Sequence, residues 1–274
     1  MDTPNFLDLE VNQCKQEAVL SGFEAIAKTL LNSCILIIKG KDHLLREIEF
    51  YLNCQTHPDV FAHSTEDQLT SGQWAFHKTG SSYRGGSFKG LDITFGIGGY
   101  GGILIRAIEP PGGDYIDGPS KVVDKILELT QTSSIVDLVG SDQFSLNVFK
   151  SSLLQLKSVT DGSNLTSIVS SARIGLTLRN EAQVPFVIKP YRFMSKPDMV
   201  RKGRQHLVLE LHFRGKSAIE VAAITNCRVK QCQKWIDEYE IGISKNLKPE
   251  DFYNKILKTA EFSEFYYTMK QHAL

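Results

Sequence analysis

The chain has 274 residues, 42% hydrophobic and 23% charged, which excludes a disordered or fibrous protein. Its 31 Lys+Arg balance 31 Asp+Glu, so zero net charge excludes a chain-wide basic surface while leaving room for a local basic patch. The length allows one large domain, or one of typical size with a smaller appendix.

Residues 1–10 carry acids and no apolar stretch, so no signal peptide is expected. The longest apolar runs, such as residues 34–38, are too short to span a bilayer, and no membrane partner is expected. Residues 11–32 read as a helix, with Ala18, Leu20, Phe23, Ile26, Ala27, Leu30 and Leu31 at helical spacing. Residues 34–39 (CILIIK) are a short β-branched strand, 40–42 a turn and 44–52 a second strand. Polar residues 53–70, with Pro58, read as loop. Residues 91–95 and 103–108 read as paired strands within a glycine-dense stretch. Residues 109–113 (EPPGG) are a loop, and a helix runs from about 119 to 129. One strand is expected within 133–162, and late strands at 171–176 and 186–193. From residue 196 the pattern turns helical, which places a domain boundary near Ser195. Five scattered cysteines, Cys14, Cys34, Cys54, Cys227 and Cys232, lack zinc-knuckle spacing and read as thiols of a reducing compartment.

The glycine-rich stretch contains neither a Walker-type phosphate loop nor a strand-to-helix Gly-x-Gly-x-x-Gly. Gly98–Gly102 suits a hairpin that uses positive-φ residues. The EIEFY segment is more informative. On a strand, Glu47, Glu49 and Tyr51 share one face while Ile48, Phe50 and Leu52 share the other. Spacing alone favours a solvated outer face for the acids.

Collinear segments point elsewhere. They are AKTLLNSCILII (27–38), REIEFYL (46–52), AHS (62–64), KTG (78–80), ILIRAIEP (103–110), GPSK (118–121), ARIG (172–175) and KPYRF (189–193). From about Ala25 to Met194 the chain resembles the alkylpurine-DNA glycosylase family, the 3-methyladenine glycosylases that lack a helix-hairpin-helix. The resemblance implies an α+β fold, a curved antiparallel sheet with surrounding helices. It also implies a monofunctional hydrolase of base excision repair that needs no metal or organic cofactor. Position by position, Glu49 matches the acid that deprotonates the attacking water, and Arg106 the arginine beside the active site. Tyr51 matches the tyrosine that stacks on the flipped base, and His63 the pocket-wall histidine. Such chemistry stabilises an oxocarbenium-like state with a carboxylate and receives a base extruded from the helix.

The departures are specific. The family's tyrosine-rich stretch is here the shorter SSYRGGSFKG (81–90), where Tyr83 and Phe88 remain as pocket wall and wedge. The asparagine that polices the purine edge is matched by Asp92, whose acid favours a base edge with donors or positive charge.

Residues 196–274 hold fourteen basic and ten acidic side chains, net +4, and residues 1–195 hold seventeen and twenty-one, net −4. A small C-terminal helical appendix is therefore expected, with helices at 200–213, 217–225 and 228–239. The last two resemble a helix-turn-helix in which Val229 and Trp235 are buried and Arg228, Lys230, Gln231 and Lys234 face phosphates or base edges; a plain partner-binding bundle is the alternative. The aromatic tail, Phe252 to Tyr267, is expected to pack inward.

The sequence thus leads to a glycosylase domain (1–195) and a helical appendix (196–274), acting on damaged, alkylated or deaminated purines in the DNA of a nucleus or nucleoid-containing cytoplasm. Two alternatives stay open. One is an N-glycosidic hydrolase acting on single-stranded nucleic acid, RNA or nucleosides. The other is a non-enzymatic nucleic-acid-binding module derived from a glycosylase.

Overall fold

The computed structural model of the chain describes residues 6–9, 16–159 and 166–272. Cys14 and the first five residues of the expected N-terminal helix lie outside them. Two compact units emerge: Met1–Pro58 with Ala62–Ile168, and Asp59–Phe61 with Val169–Leu274.

The first unit has α+β architecture. Its elements are α1 (Gln16–Ser33), β1 (Cys34–Ile38), β2 (Lys41–Cys54), β3 (His57–Pro58), β4 (Trp74–Phe76), β5 (Lys78–Thr79), β6 (Ser82–Tyr83), β7 (Leu91–Thr94), β8 (Tyr100–Glu109), β9 (Ile116–Asp117), α2 (Pro119–Thr130), α3 (Ile135–Val139) and β10 (Leu154–Ser158). A curled antiparallel half-barrel sheet runs β10-β1-β2-β8-β7-β4, with β3 on β2 and β9 on β8. Lys39 and Gly40, both at positive φ (46° and 76°), form the two-residue turn between β1 and β2.

α1 packs on one face of β2. Val19, Phe23, Ile26 and Leu30 form its buried line, whereas Ala18, from the expected set, is exposed. Phe23 stacks on Phe50 at 4.6 Å, and Phe95 meets both rings edge-on. Burying each such ring contributes about 1.5–3 kcal/mol, so α1 holds the middle of β2 firmly from behind. By strand alternation Glu47, Glu49 and Tyr51 project from the opposite face.

The second unit comprises β11 (Val169–Ser171), α4 (Val184–Val187), β12 (Arg192–Met194), α5 (Arg204–Phe213), α6 (Ala218–Thr225), α7 (Val229–Ser244) and α8 (Thr259–His272). The boundary expected at Ser195 falls inside this unit. β11 pairs with β12, and Met194 shares a core with Val200, Leu207, Val208, Val221 and Ile236. Arg192, fully buried, donates to the carbonyls of Lys202 and Gly203 at 3.1 Å each. Gly203, at φ +66°, caps α5, and a Cβ there would lie 2.8 Å from the guanidinium, so the expected helix start at residue 200 moves to Arg204. The expected strands at 171–176 and 186–193 shrink to β11 and β12, because Val184–Val187, opened by Pro185, forms a helical turn instead.

Inside the unit, Asp59 and Arg173 form a fully buried ion pair, with Arg173 over the rings of Phe61 and Tyr191. Glu210 accepts from Tyr266 Oη at 2.6 Å, Lys270 Nζ at 2.7 Å and Arg214 Nε at 2.9 Å. Phe252, Phe265 and Tyr266 of the aromatic tail lie in the core, as expected. Among the described residues no helix is long and apolar enough to cross a membrane, and Cys34, Cys54, Cys227 and Cys232 are thiols.

Candidate active site

Neither acid of the EIEFY segment faces solvent: Glu47 is 1% and Glu49 0% exposed. That overturns the solvated face favoured by spacing. The reason is a pair of compensating bulges. Leu45 pairs with Ile108 and Glu47 with Ala107, which makes Arg46 an extra residue on β2; Ile48 then pairs with Ile105, which makes Arg106 an extra residue on β8. A bulged residue is released from the ladder and its side chain is re-aimed. Arg46 turns to Glu109 at 2.7 Å. Arg106 turns to the two acids, donating from Nε to Glu47 Oε1 at 2.8 Å and from Nη1 to Glu49 Oε2 at 3.3 Å. Burial works against the Arg106 charge, but Glu49, Glu47 and Tyr51 more than offset it and push its pKa above the ordinary arginine value. Tyr51, half-buried and two residues along the same face, donates its hydroxyl to Glu49 Oε2 at 2.9 Å. Glu49 is therefore a fixed carboxylate, oriented by a permanent cation and a phenol.

Register extends the site across the sheet. Glu49 lies opposite Leu104, Leu104 opposite Asp92, and Asp92 opposite Ala75, so these four residues form one row on one face. The next row is Tyr51, Gly102 and Thr94. Gly102 leaves a gap that the Gln68 amide and the Asp92 carboxylate fill: a Cβ there would lie 2.5 Å from Gln68 Nε2 and 2.6 Å from Asp92 Oδ2.

Asp92 is 2% exposed and does not present a bare carboxylate. Its Oδ2 accepts from Gln68 Nε2 at 3.3 Å, and its Oδ1 from His77 Nε2 at 2.8 Å. A carboxylate only accepts here, so His77 carries its proton on Nε2. His63 meets the His77 ring edge-on, with centroids 4.4 Å apart. Although His63 is exposed, desolvation of its ring, helped by His77 and Arg84 and opposed by Asp92, pushes its pKa down to about 4. One ring nitrogen from each histidine and an Asp92 oxygen lie within 4.8 Å of one another.

The wall and wedge residues separate. Tyr83 sits on the β5–β6 hairpin, where Lys78 Nζ lies 5.3 Å from its ring centre and Phe76 meets it edge-on. It lines an open groove of about 600 Å³ with Arg84, Lys89 and residues 133–136, apart from Glu49 and Tyr51. Phe88 is 76% exposed at the end of a 3-10 turn.

In the second unit, α6 and α7 are joined by Asn226–Arg228, with Asn226 in the left-handed region (φ 50°). Ser217 and Glu220 form a capping box at the start of α6. Arg228, Lys230 and Lys234 are exposed, while Gln231 is half-buried. Val229, expected in the core, is 46% exposed, because the buried stripe of α7 begins at Cys232 and runs through Ile236 and Tyr239. Trp235 packs partly buried against both cores of the unit.

The structure thus brings Glu49, Tyr51 and Arg106 into direct contact and puts Asp92 two strands away on the same face. His77 and Gln68 were missed by sequence reasoning. His77 directly precedes the KTG segment, and its contact with Asp92 depends on the pairing of β4 with β7, which no local sequence signal gives.

No protein-family model matches the chain. The uncharacterized protein L759 of Acanthamoeba polyphaga mimivirus is 33% identical over 201 residues, which span 68% of this chain and 91% of the viral protein.

Proposed function

The chain belongs to one family with the mimivirus protein L759, and we propose that it is an N-glycosylase that hydrolyses the bond between a damaged purine and its deoxyribose in DNA. The observation that carries the reading is Glu49: a fully buried carboxylate, clamped by Arg106 and Tyr51 on one face of a curled sheet. The resemblance of the collinear segments to the alkylpurine-DNA glycosylases supplies the reaction type.

In this mechanism the C1′–N bond breaks with its electron pair leaving on the base, and positive charge builds on the sugar. Glu49 stabilises that charge and takes a proton from the water whose oxygen bonds to C1′. Arg106 holds Glu49 in aim, and Tyr51 offers an aromatic face to the extruded base while its hydroxyl braces the carboxylate. Phe88, the exposed aromatic of the glycine-rich segment, is the wedge of this scheme, filling the place the base leaves. Arg228, Lys230 and Lys234 on the helix-turn-helix-like pair add phosphate contacts.

The test is Glu49→Gln, which keeps the shape and the Arg106 and Tyr51 contacts but removes the base. A loss of about 10²–10⁴ in single-turnover base release, with unchanged melting temperature, is expected. Full activity in the folded variant would refute the role of Glu49.

A further inference from the structure

We propose that His63, His77 and Asp92 form a binding site for a divalent transition-metal cation, with zinc the best-suited ion. Three donors of mixed type converge: two imidazole nitrogens and a carboxylate oxygen, all within 4.8 Å of one another. Tetrahedral zinc, with bonds of about 2.0–2.2 Å, holds its donors roughly 3.3–3.5 Å apart. His77 Nε2 and Asp92 Oδ1 stand at 2.8 Å, so this pair opens by about half an ångström to admit the ion. His77 then shifts to its other neutral tautomer, the ring proton moving by way of solvent from Nε2 to Nδ1, and the Nε2 lone pair binds the metal.

Two of the ligands are held rigidly. Asp92 sits in β7 between β4 and β8, and the Gln68 amide fixes its second oxygen; a hydrogen bond of that kind to a ligating carboxylate orients it toward a metal. The His77 backbone is tied to Gly90 O at 3.0 Å and to Arg84 N at 2.9 Å. Its ring lies directly on Gly90, where a Cβ would come within 2.4 Å of Nδ1. The third ligand, His63, sits edge-on to His77 at an exposed residue outside the strands and reaches the ion by rotation about its side-chain bonds. Two fixed donors and one adjustable one make a site that closes around an ion with little backbone movement. The donor set selects the metal: imidazole suits zinc and its neighbours, whereas magnesium and calcium take oxygen ligands.

Three protein ligands leave a fourth position for water or a substrate atom. Asp92 shares its row with Glu49, two strand spacings or about 10 Å away, so the open position faces the same side of the sheet as the carboxylate. On the glycosylase reading, with which this consequence alone stands or falls, the ion changes which base edge is accepted. Without metal, both Asp92 oxygens are taken by His77 and Gln68; with metal, the open position takes a ring-nitrogen lone pair.

The experiment uses the full chain, stripped with a chelator and dialysed. Zinc is titrated against a chromophoric chelator, and cobalt(II) serves as a spectroscopic probe. One zinc per chain is expected, along with visible absorption bands of four-coordinate cobalt. His63→Ala, at an exposed position that leaves the fold intact, and His77→Ala should each weaken binding by about 100-fold or more; Gln68→Ala should cost roughly 10- to 100-fold. His212→Gln, in the other unit, should bind as wild type. Absence of zinc uptake at micromolar concentration, or wild-type affinity in the His63 or the His77 variant, overturns the proposal. Because no substrate is present, failure here is distinct from failure of the glycosylase reading.

Discussion

Arg106 is the group whose removal tests the site most sharply. Its Nε stands 2.8 Å from Glu47 and its Nη1 3.3 Å from Glu49, all three side chains being buried. At an effective dielectric constant of about 20, those separations correspond to attractions of roughly 6 and 5 kcal/mol. Most of this is offset by the desolvation of three charges, so the net cost of removing the cation is about 3–5 kcal/mol. Arg106→Met should therefore destabilise the protein by that amount in urea unfolding at pH 7. Adding Glu47→Gln should recover part of the loss by removing one uncompensated charge. A variant within 1 kcal/mol of wild type would refute the account of Arg106 as the cation that compensates the buried Glu47 and Glu49.

Gly102→Ala places a methyl group 2.5 Å from the Gln68 amide and 2.6 Å from the Asp92 carboxylate; a loss of about 1–3 kcal/mol and altered base selection are expected in denaturation and in competition between substrates. Phe88→Ala, at an exposed position, should leave stability within about 0.5 kcal/mol and slow base release from duplex DNA more than from single strands; equal slowing on both would exclude a wedge. Replacing Arg228, Lys230 and Lys234 by Ala should weaken duplex binding and flatten the log Kd against log salt slope by up to about 0.9 per lost phosphate contact, read by fluorescence anisotropy. In the second unit, burial raises the Glu210 carboxyl, but Lys270, Tyr266 and Arg214 more than reverse this and hold it below its usual range. Its stabilising contribution is present above the ordinary carboxylate pKa and lost as pH falls through the lowered one, so Glu210→Gln should flatten the acid limb of the melting-temperature profile.

Much of the first unit was legible because its signals are local. The period of α1, the β-branched run of β1 and the glycine turns each dictate their own conformation. The burial of Glu47 and Glu49 was not legible from periodicity, because alternation gives a face and not what covers it. The bulges at Arg46 and Arg106, which turn that face into an ion triad, depend on strand pairing about sixty residues apart in sequence. His77 was invisible for a similar reason: its partner lies on the strand paired with the one that precedes it. The domain boundary was misplaced because Arg192 and Met194 read as the end of a β-rich region, although Arg192 binds carbonyls of the turn that opens α5 and Met194 packs on the helices that follow.

The central claim is that Glu49 hydrolyses an N-glycosidic bond. Incubating the protein and its Glu49→Gln variant with alkylated, deaminated and undamaged DNA, and identifying released bases by mass spectrometry, tests it most directly. The account predicts a free purine and a matching abasic site with wild type on at least one damaged substrate, and neither with the folded variant. Release of no base from any of these substrates by the wild type, or equal release by both proteins, would contradict it.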